Sequence, residues 1–150
     1  MTVRTLRSIP PQEAAVALSA LRELRPQARH TASPDALHAF LTLTRPEGYR
    51  LAGVFEAGQA EAAAVAGYRV MHLLHAGRTL YVDDLVTRSQ ARGRGHAGAL
   101  LAWLDAEARR LDCAELHLDS GVGPQRFAAH RLYLNAGLNI TAHHFARALA

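Results

Sequence analysis

The stretch Gln90-Ala91-Arg92-Gly93-Arg94-Gly95 has the residue types and spacing best suited to chemistry. Gly93 and Gly95, two positions apart, let successive amides converge without interference from a Cβ. His96 and Ala97 then open a helical pattern, whose first amides are unpaired and whose dipole end is positive. Such a turn is a cradle for a pyrophosphate, and Arg88, Arg92 and Arg94 add positive charge around it. A literal competitor is Gly93-Arg94-Gly95-His96-Ala97-Gly98, which also reads G-x-G-x-x-G. The dinucleotide fingerprint sits tightly on the first strand of a βαβ repeat. Here five polar or small residues intervene, and too little chain remains for a second nucleotide-binding half. A Walker A loop is excluded because no Lys-Ser or Lys-Thr follows the glycines. The remaining alternative is a glycine-rich turn with no ligand.

Other constellations are weaker. His72-x-x-His75 and His143-His144 have metal-binding residue types, but strand spacing splits each pair between faces and no cysteine lies near. No metal is expected. Asp119-Ser120-Gly121 lacks the G-x-S-x-G frame of a serine hydrolase. Cys113, between a helix and a strand, reads as a small buried residue rather than a nucleophile.

The elements that must position the loop follow from periodicity. Residues 3–9 read as a first strand, and Pro10-Pro11 opens a helix with Leu18, Leu21 and Leu24 inward and Arg22 and Arg25 outward. Ser33-Pro34 caps a second helix carrying Leu37, Phe40 and Leu41. Residues 49–56, 59–74 and 79–87 read as strands, broken at Ala57-Gly58 and Ala76-Gly77. Their short connections require an antiparallel meander. Residues 96–111 are helical, with Leu100, Leu101, Leu104 and Ala108 on one stripe. Residues 114–119 alternate as a strand, 125–136 form a last helix ending at Gly137, and 138–149 read as a final strand. The order β-α-α-β-β-β-α-β-α-β gives a mixed sheet with helices, hence α/β or α+β, in a single domain over 1–150.

On these residues the chain resembles the GCN5-related N-acetyltransferase superfamily. The family motif Q/R-x-x-G-x-G/A stands as Gln90-x-x-Gly93-x-Gly95, after the L-x-V-type strand end Leu85-Val86-Thr87. The signature A-x-x-L-Y-x-x-x-G-F is echoed by Ala129-x-x-Leu132-Tyr133-x-x-x-Gly137-Leu138. The resemblance implies a mostly antiparallel sheet with a V-shaped splay between the strands at 79–87 and 114–119. Acetyl-CoA would be the co-substrate, its pantetheine arm against Leu85, Val86 and Thr87 and its pyrophosphate on amides from Arg92 to Ala97. Two positions depart from the pattern: Arg126 stands where the family usually has Asn, and Leu138 where it has Phe.

The resemblance also implies a chemistry. Direct acyl transfer needs a neutral amine, a polarised carbonyl and a proton for the departing thiolate. Tyr133 occupies the place of the family's proton-donating tyrosine, the alternative being a packed aromatic. Asp83, first of the pair Asp83-Asp84, is the expected base, the alternatives being an ion pair with an arginine or attraction of substrate. Strand alternation sends Asp83 and Asp84 to opposite faces. Asp84, His117 and Asp119 are the expected substrate contacts, and the carboxylates at positions 83, 84 and 119 favour a cationic amine. A homodimer is a further possibility that the family offers.

Composition agrees without deciding. In 150 residues, 49% are hydrophobic and 20% charged, as in an ordinary globular domain. Seventeen basic residues, all arginine, against thirteen acidic ones give a net charge of +4, which suits nucleic acid, a phosphorylated cofactor or neither. No interleaved aromatic platform or known reading motif points to nucleic acid. No apolar run approaches a membrane span or a signal peptide. With a single cysteine, the expected compartment is the cytoplasm. Two functions remain: an acetyltransferase acting on a primary amine of a small molecule or peptide, or a non-catalytic module that binds CoA or another protein.

Overall fold

The computed structural model describes residues 3–150. Its elements are β1 (Arg4–Ile9), α1 (Ala15–Leu24), α2 (Pro34–Thr44), β2 (Arg50–Glu56), β3 (Ala64–Leu73), β4 (Gly77–Thr87), α3 (His96–Arg110), β5 (Glu115–Leu118) and α4 (Phe127–Asn135). The strands form one five-stranded sheet in the order β1-β2-β3-β4-β5, antiparallel except for the parallel β4–β5 pair. The chain divides into two units, one ending at Leu118 and one spanning Asp119–Ala150.

In the first unit both faces of the sheet are covered, which explains the almost unbroken apolar run of β2. Alternate residues go to opposite faces. Leu51 and Phe55 join Leu18, Leu21, Leu37 and Leu41 of α1 and α2 in one core, whereas Ala52 and Val54 join Leu100, Leu104 and Ala108 of α3 in the other. Ser33 starts α2 as expected, its hydroxyl accepting from the Ala36 amide at 3.1 Å.

The feature that shapes the site is a bulge between β3 and β4. Gly67 pairs with Asp84 but the next residue, Tyr68, pairs with Val82, so Asp83 is an extra residue on β4. The parallel pairing of β4 with β5 runs from Thr79–Glu115 to Val82–Leu118 and stops there. Beyond it, β4 continues to Thr87 alongside β3, past the last residue of β5. Gly67 is required at the bulge by close approach: a Cβ there would overlap the Tyr49 hydroxyl, which crosses over it.

Three expectations need correction. The strand expected over 59–74 starts only at Ala64, because residues 57–63 form a longer connection that tucks Ala62 and Ala63 into the core. The expected final strand over 138–149 is absent: these residues form neither helix nor strand. Strand-like composition orders a backbone only when a partner takes its hydrogen bonds. Asp83 and Asp84, expected on opposite faces, reach one side-chain cluster because the bulge interrupts the alternation. The last helix ends as read, with Gly137 at φ 91° and the Leu138 amide donating to Tyr133 O at 3.0 Å.

Gly67→Ala is expected to destabilise the protein by about 1–3 kcal/mol through overpacking against Tyr49. Leu104→Ala, which empties a fully buried position under α3, is expected to cost about 2–5 kcal/mol. Urea denaturation followed by circular dichroism measures both.

Candidate functional site

The turn at residues 88–95 is positioned from behind by three carboxylates. Glu23 of α1 accepts the Ser89 amide at 2.9 Å, Glu61 pairs with Arg88 at 3.3 Å, and Glu56 at the end of β2 takes Arg94 with both oxygens at 2.7 Å. Glu56 also accepts from His96 Nε2 at 2.7 Å. The carboxylate can only accept, so Nε2 carries the hydrogen and Nδ1 is left to accept from Arg4 Nη1 at 3.2 Å. The His96 side chain is fully buried. His96 therefore acts as a bolt under the first turn of α3, and its ring is not a surface for a ligand.

Gly93 and Gly95 both take left-handed backbone, at φ 78° and 77°, a conformation open to glycine at little cost. Among the described residues, no main-chain N–H from Arg92 through Gly98 meets a protein acceptor; the first that does is Ala99, to Gly95 O at 3.1 Å. These unpaired donors stand at the positive end of a 15-residue helix. An anion with several oxygens is their natural complement. The three arginines divide: Arg88 and Arg94 are committed to Glu61 and Glu56, while Arg92 is exposed and forms no ion pair among the described residues. Gln90 contributes its carbonyl, which accepts from Arg94 Nη2 at 3.2 Å.

The edge of β4 supplies the second part. The Arg88 amide donates to Ala63 O on the β3 side at 2.9 Å. Main-chain direction alternates along an antiparallel strand. Val86 therefore faces β3, and the main-chain groups of Leu85 and Thr87 face the β5 side, past the last β5 pair.

The third part is the cluster at the bulge. Arg69 grips Asp83 with Nε 3.1 Å from each oxygen and Nη2 at 2.8 Å, and lies 5.3 Å from the Tyr49 ring centroid. Asp84 accepts the Tyr49 hydroxyl at 2.7 Å and Arg25 Nε at 3.1 Å. Burial pushes the Asp83 carboxyl above the usual aspartate range, against the pull of Arg69. Burial, reinforced by Asp84, holds the Tyr49 phenol well above the ordinary tyrosine range, so it stays a donor. Of the other expected substrate contacts, His117 on β5 lies 3.2 Å from Glu115, and exposed Asp119 lies 2.8 Å from His144 Nδ1. All three acids expected to attract a cation thus have basic partners of their own.

In the second unit, Tyr133 of α4 is 9% exposed. Burial raises its phenol above the ordinary value, opposed by neighbouring Arg126, so the hydroxyl keeps its proton at neutral pH. Arg126 also reaches Ser120 Oγ at 3.4 Å, a contact that the shorter Asn of the family pattern would not make.

Sequence reading missed Arg69, Tyr49, Arg25 and Glu56. None lies in a motif, and each meets the site across 14 to 59 positions of chain. The one available hint was Glu56, an acid at a strand end, and it gave no partner.

The fold and the turn define a class, that of the acyltransferase enzymes. The chain belongs to the acetyltransferase (GNAT) family, whose model matches residues 15–138. No curated protein matches it. Among solved structures it is similar to an acetyltransferase of Trypanosoma brucei, at 18% identity and TM-score 0.79, over 98% of this chain and 100% of the other. It is similar to the aminoglycoside N-acetyltransferase AAC(6')-Iy in complex with CoA, at 14% identity and TM-score 0.79, over 99% and 96%. It is also similar to glucosamine-6-phosphate N-acetyltransferase from Arabidopsis thaliana, at 14% identity and TM-score 0.78, over 99% of each chain.

Glu56 yields a prediction with two readouts. Hydrogen bonds from His96 and Arg94 hold its carboxyl below the ordinary glutamate range. A depressed carboxylate stabilises the fold fully above its unfolded pKa, ~4.3, and loses that contribution as pH falls through the folded value. Glu56→Gln should melt below wild type at pH 7, with the gap closing in acid. Its CoA affinity, measured by calorimetry, should fall about tenfold as the turn loses a charge-assisted tie.

Proposed function

We propose that the protein transfers an acetyl group from acetyl-CoA to a primary amine of a small-molecule or peptide acceptor by direct attack. The observation that carries this reading is the run of unpaired amides from Arg92 to Gly98, following the stretch of β4 that runs past the end of β5. The pyrophosphate binds Arg92, Gly93, Arg94, Gly95, His96 and Ala97 through main-chain nitrogens, and Arg92 adds the free positive charge. The pantetheine amides pair with main-chain groups of Leu85 and Thr87, as a further strand would. Val86 and Gln90 hold strand and turn in shape.

The neutral amine attacks the thioester carbonyl carbon, the carbon–sulfur bond breaks, and the thiolate takes a proton from the Tyr133 hydroxyl. The amine's surplus proton passes to Asp83, directly or through water. A raised carboxyl suits that role better than an ordinary aspartate, and Arg69 fixes its orientation. Asp84, His117 and Asp119 are the groups proposed to meet the acceptor. With each already paired, a cationic acceptor gains less from them than it would from unpaired groups. The tight Asp83–Arg69 pair also favours a second reading, a domain that binds CoA without transfer.

Release of free thiol from acetyl-CoA across a panel of amines tests the first reading against the second. Tyr133→Phe should lower kcat by about 100-fold or more and leave the CoA dissociation constant unchanged. Asp83→Asn should lower kcat/KM and abolish its acid limb, whose midpoint in wild type lies above the ordinary aspartate value because the base must be ionised to accept. Thermal stabilisation by CoA with no turnover on any amine would select the non-catalytic reading.

A further inference from the structure

Arg126 stands where the family pattern has Asn, and the longer side chain has a defined place. It closes the short turn Pro124–Arg126 that leads into α4, its amide donating to Gly123 O at 2.9 Å. Its stem runs past Gly121, where a Cβ would meet Arg126 Cγ at 3.8 Å, and its Nη2 lies 3.4 Å from Ser120 Oγ. Tyr133 follows two helical turns later on the same face. Helical side chains lean toward the helix N-terminus, so the Tyr133 phenol reaches back toward the arginine. There the two act on one another: burial disfavours the phenolate, and the charge and hydrogen-bonding reach of Arg126 favour it. Among the described residues, the charge acting on this phenol is that of Arg126. Of the other titratable groups in Asp119–Ala150, His130 is bound to Gly121 O at 2.7 Å, Asp119 pairs with His144, and Arg131, His143 and Arg147 are exposed.

The proton inventory of acyl transfer gives this contact a use, and the inference rests on the transfer reading above. When the carbon–sulfur bond breaks, its electron pair goes to sulfur, and the Tyr133 O–H proton follows to give the free thiol. What remains on Tyr133 is a phenolate, until water returns a proton. A buried anion of this kind is costly unless a cation stands beside it. We propose that Arg126 is a positioning residue for thioester cleavage, steadying the Tyr133 oxygen anion formed as the thiol leaves. A guanidinium keeps its charge at every working pH, so this support needs no second protonation. Ser120 and Gly121 hold the side chain in place, and the amide of an Asn would bring neither the charge nor the length.

Arg126→Gln and Arg126→Lys test the assignment with two readouts. The first is thiol release from acetyl-CoA, together with the CoA dissociation constant. The second is fluorine NMR of protein carrying ring-fluorinated tyrosine, the Tyr133 signal being assigned by its loss in Tyr133→Phe. Arg126→Gln is expected to raise the titration midpoint of the phenol by about one pH unit. Its kcat should fall about three- to tenfold, as a Brønsted dependence on that loss of acidity gives, with the CoA dissociation constant unchanged. Arg126→Lys, which keeps the charge, should recover part of both effects, and circular dichroism should show the same fold in all three proteins. A phenol that titrates alike in wild type and Arg126→Gln, in an active enzyme, overturns this role alone. So does a lysine variant no better than the glutamine one, or a weakened CoA affinity with kcat unchanged, which would make Arg126 a cofactor contact. Lack of turnover by wild type on every amine overturns the transfer reading and this role with it.

Discussion

An unpaired amide beside a protein surface is ordinarily satisfied by water, and a run of them converging on one point is not a stable arrangement unless something fixes the backbone. The turn from Arg92 to Gly98 is such a run. What fixes it is a single carboxylate: Glu56 ties Arg94 on the turn and His96 on the helix to the end of β2. Arg4 on β1 closes the network through His96 Nδ1 and Arg94 O. The positive end of α3 and the two left-handed glycines point the donors outward, but the buried histidine keeps them there.

The same logic governs the bulge. An extra residue on β4 costs sheet hydrogen bonds, and the structure recovers them elsewhere. Tyr49, crossing Gly67, donates to Asp84; Arg69 takes Asp83; Arg25, just past α1, donates to Asp84 as well. On its other side β4 outruns β5, which ends at Leu118, and leaves the main-chain groups of Leu85 and Thr87 without a β5 partner. This end of β4 and the turn thus offer the same resource, backbone hydrogen-bonding groups released from the sheet and helix that flank them.

Charge is distributed less simply than the net value of +4 suggests. Two of the three arginines around the turn, Arg88 and Arg94, are internal fasteners, and one, Arg92, is free to meet an anion. Asp83 and Asp84 are likewise compensated by Arg69 and Arg25. The electrostatic character of the turn therefore rests on main-chain dipoles more than on side-chain charge.

The glycine turn, the helix it opens, the capped α2 and the meander of strands were legible in the residues alone. Each is a local event: a glycine that permits a positive φ, a serine that satisfies an amide three residues on, an apolar period of two or 3.6. No local pattern contained the bulge, because an extra residue on β4 is defined only by the strand opposite it. Nor did any contain the partners of Asp83 and Asp84, which come from β3, from Arg25 just past α1 and from Tyr49 just before β2. The stretch 138–149 shows the reverse case: its composition is that of a strand, but a strand exists only where another backbone takes its hydrogen bonds, and that is a property of the assembled protein.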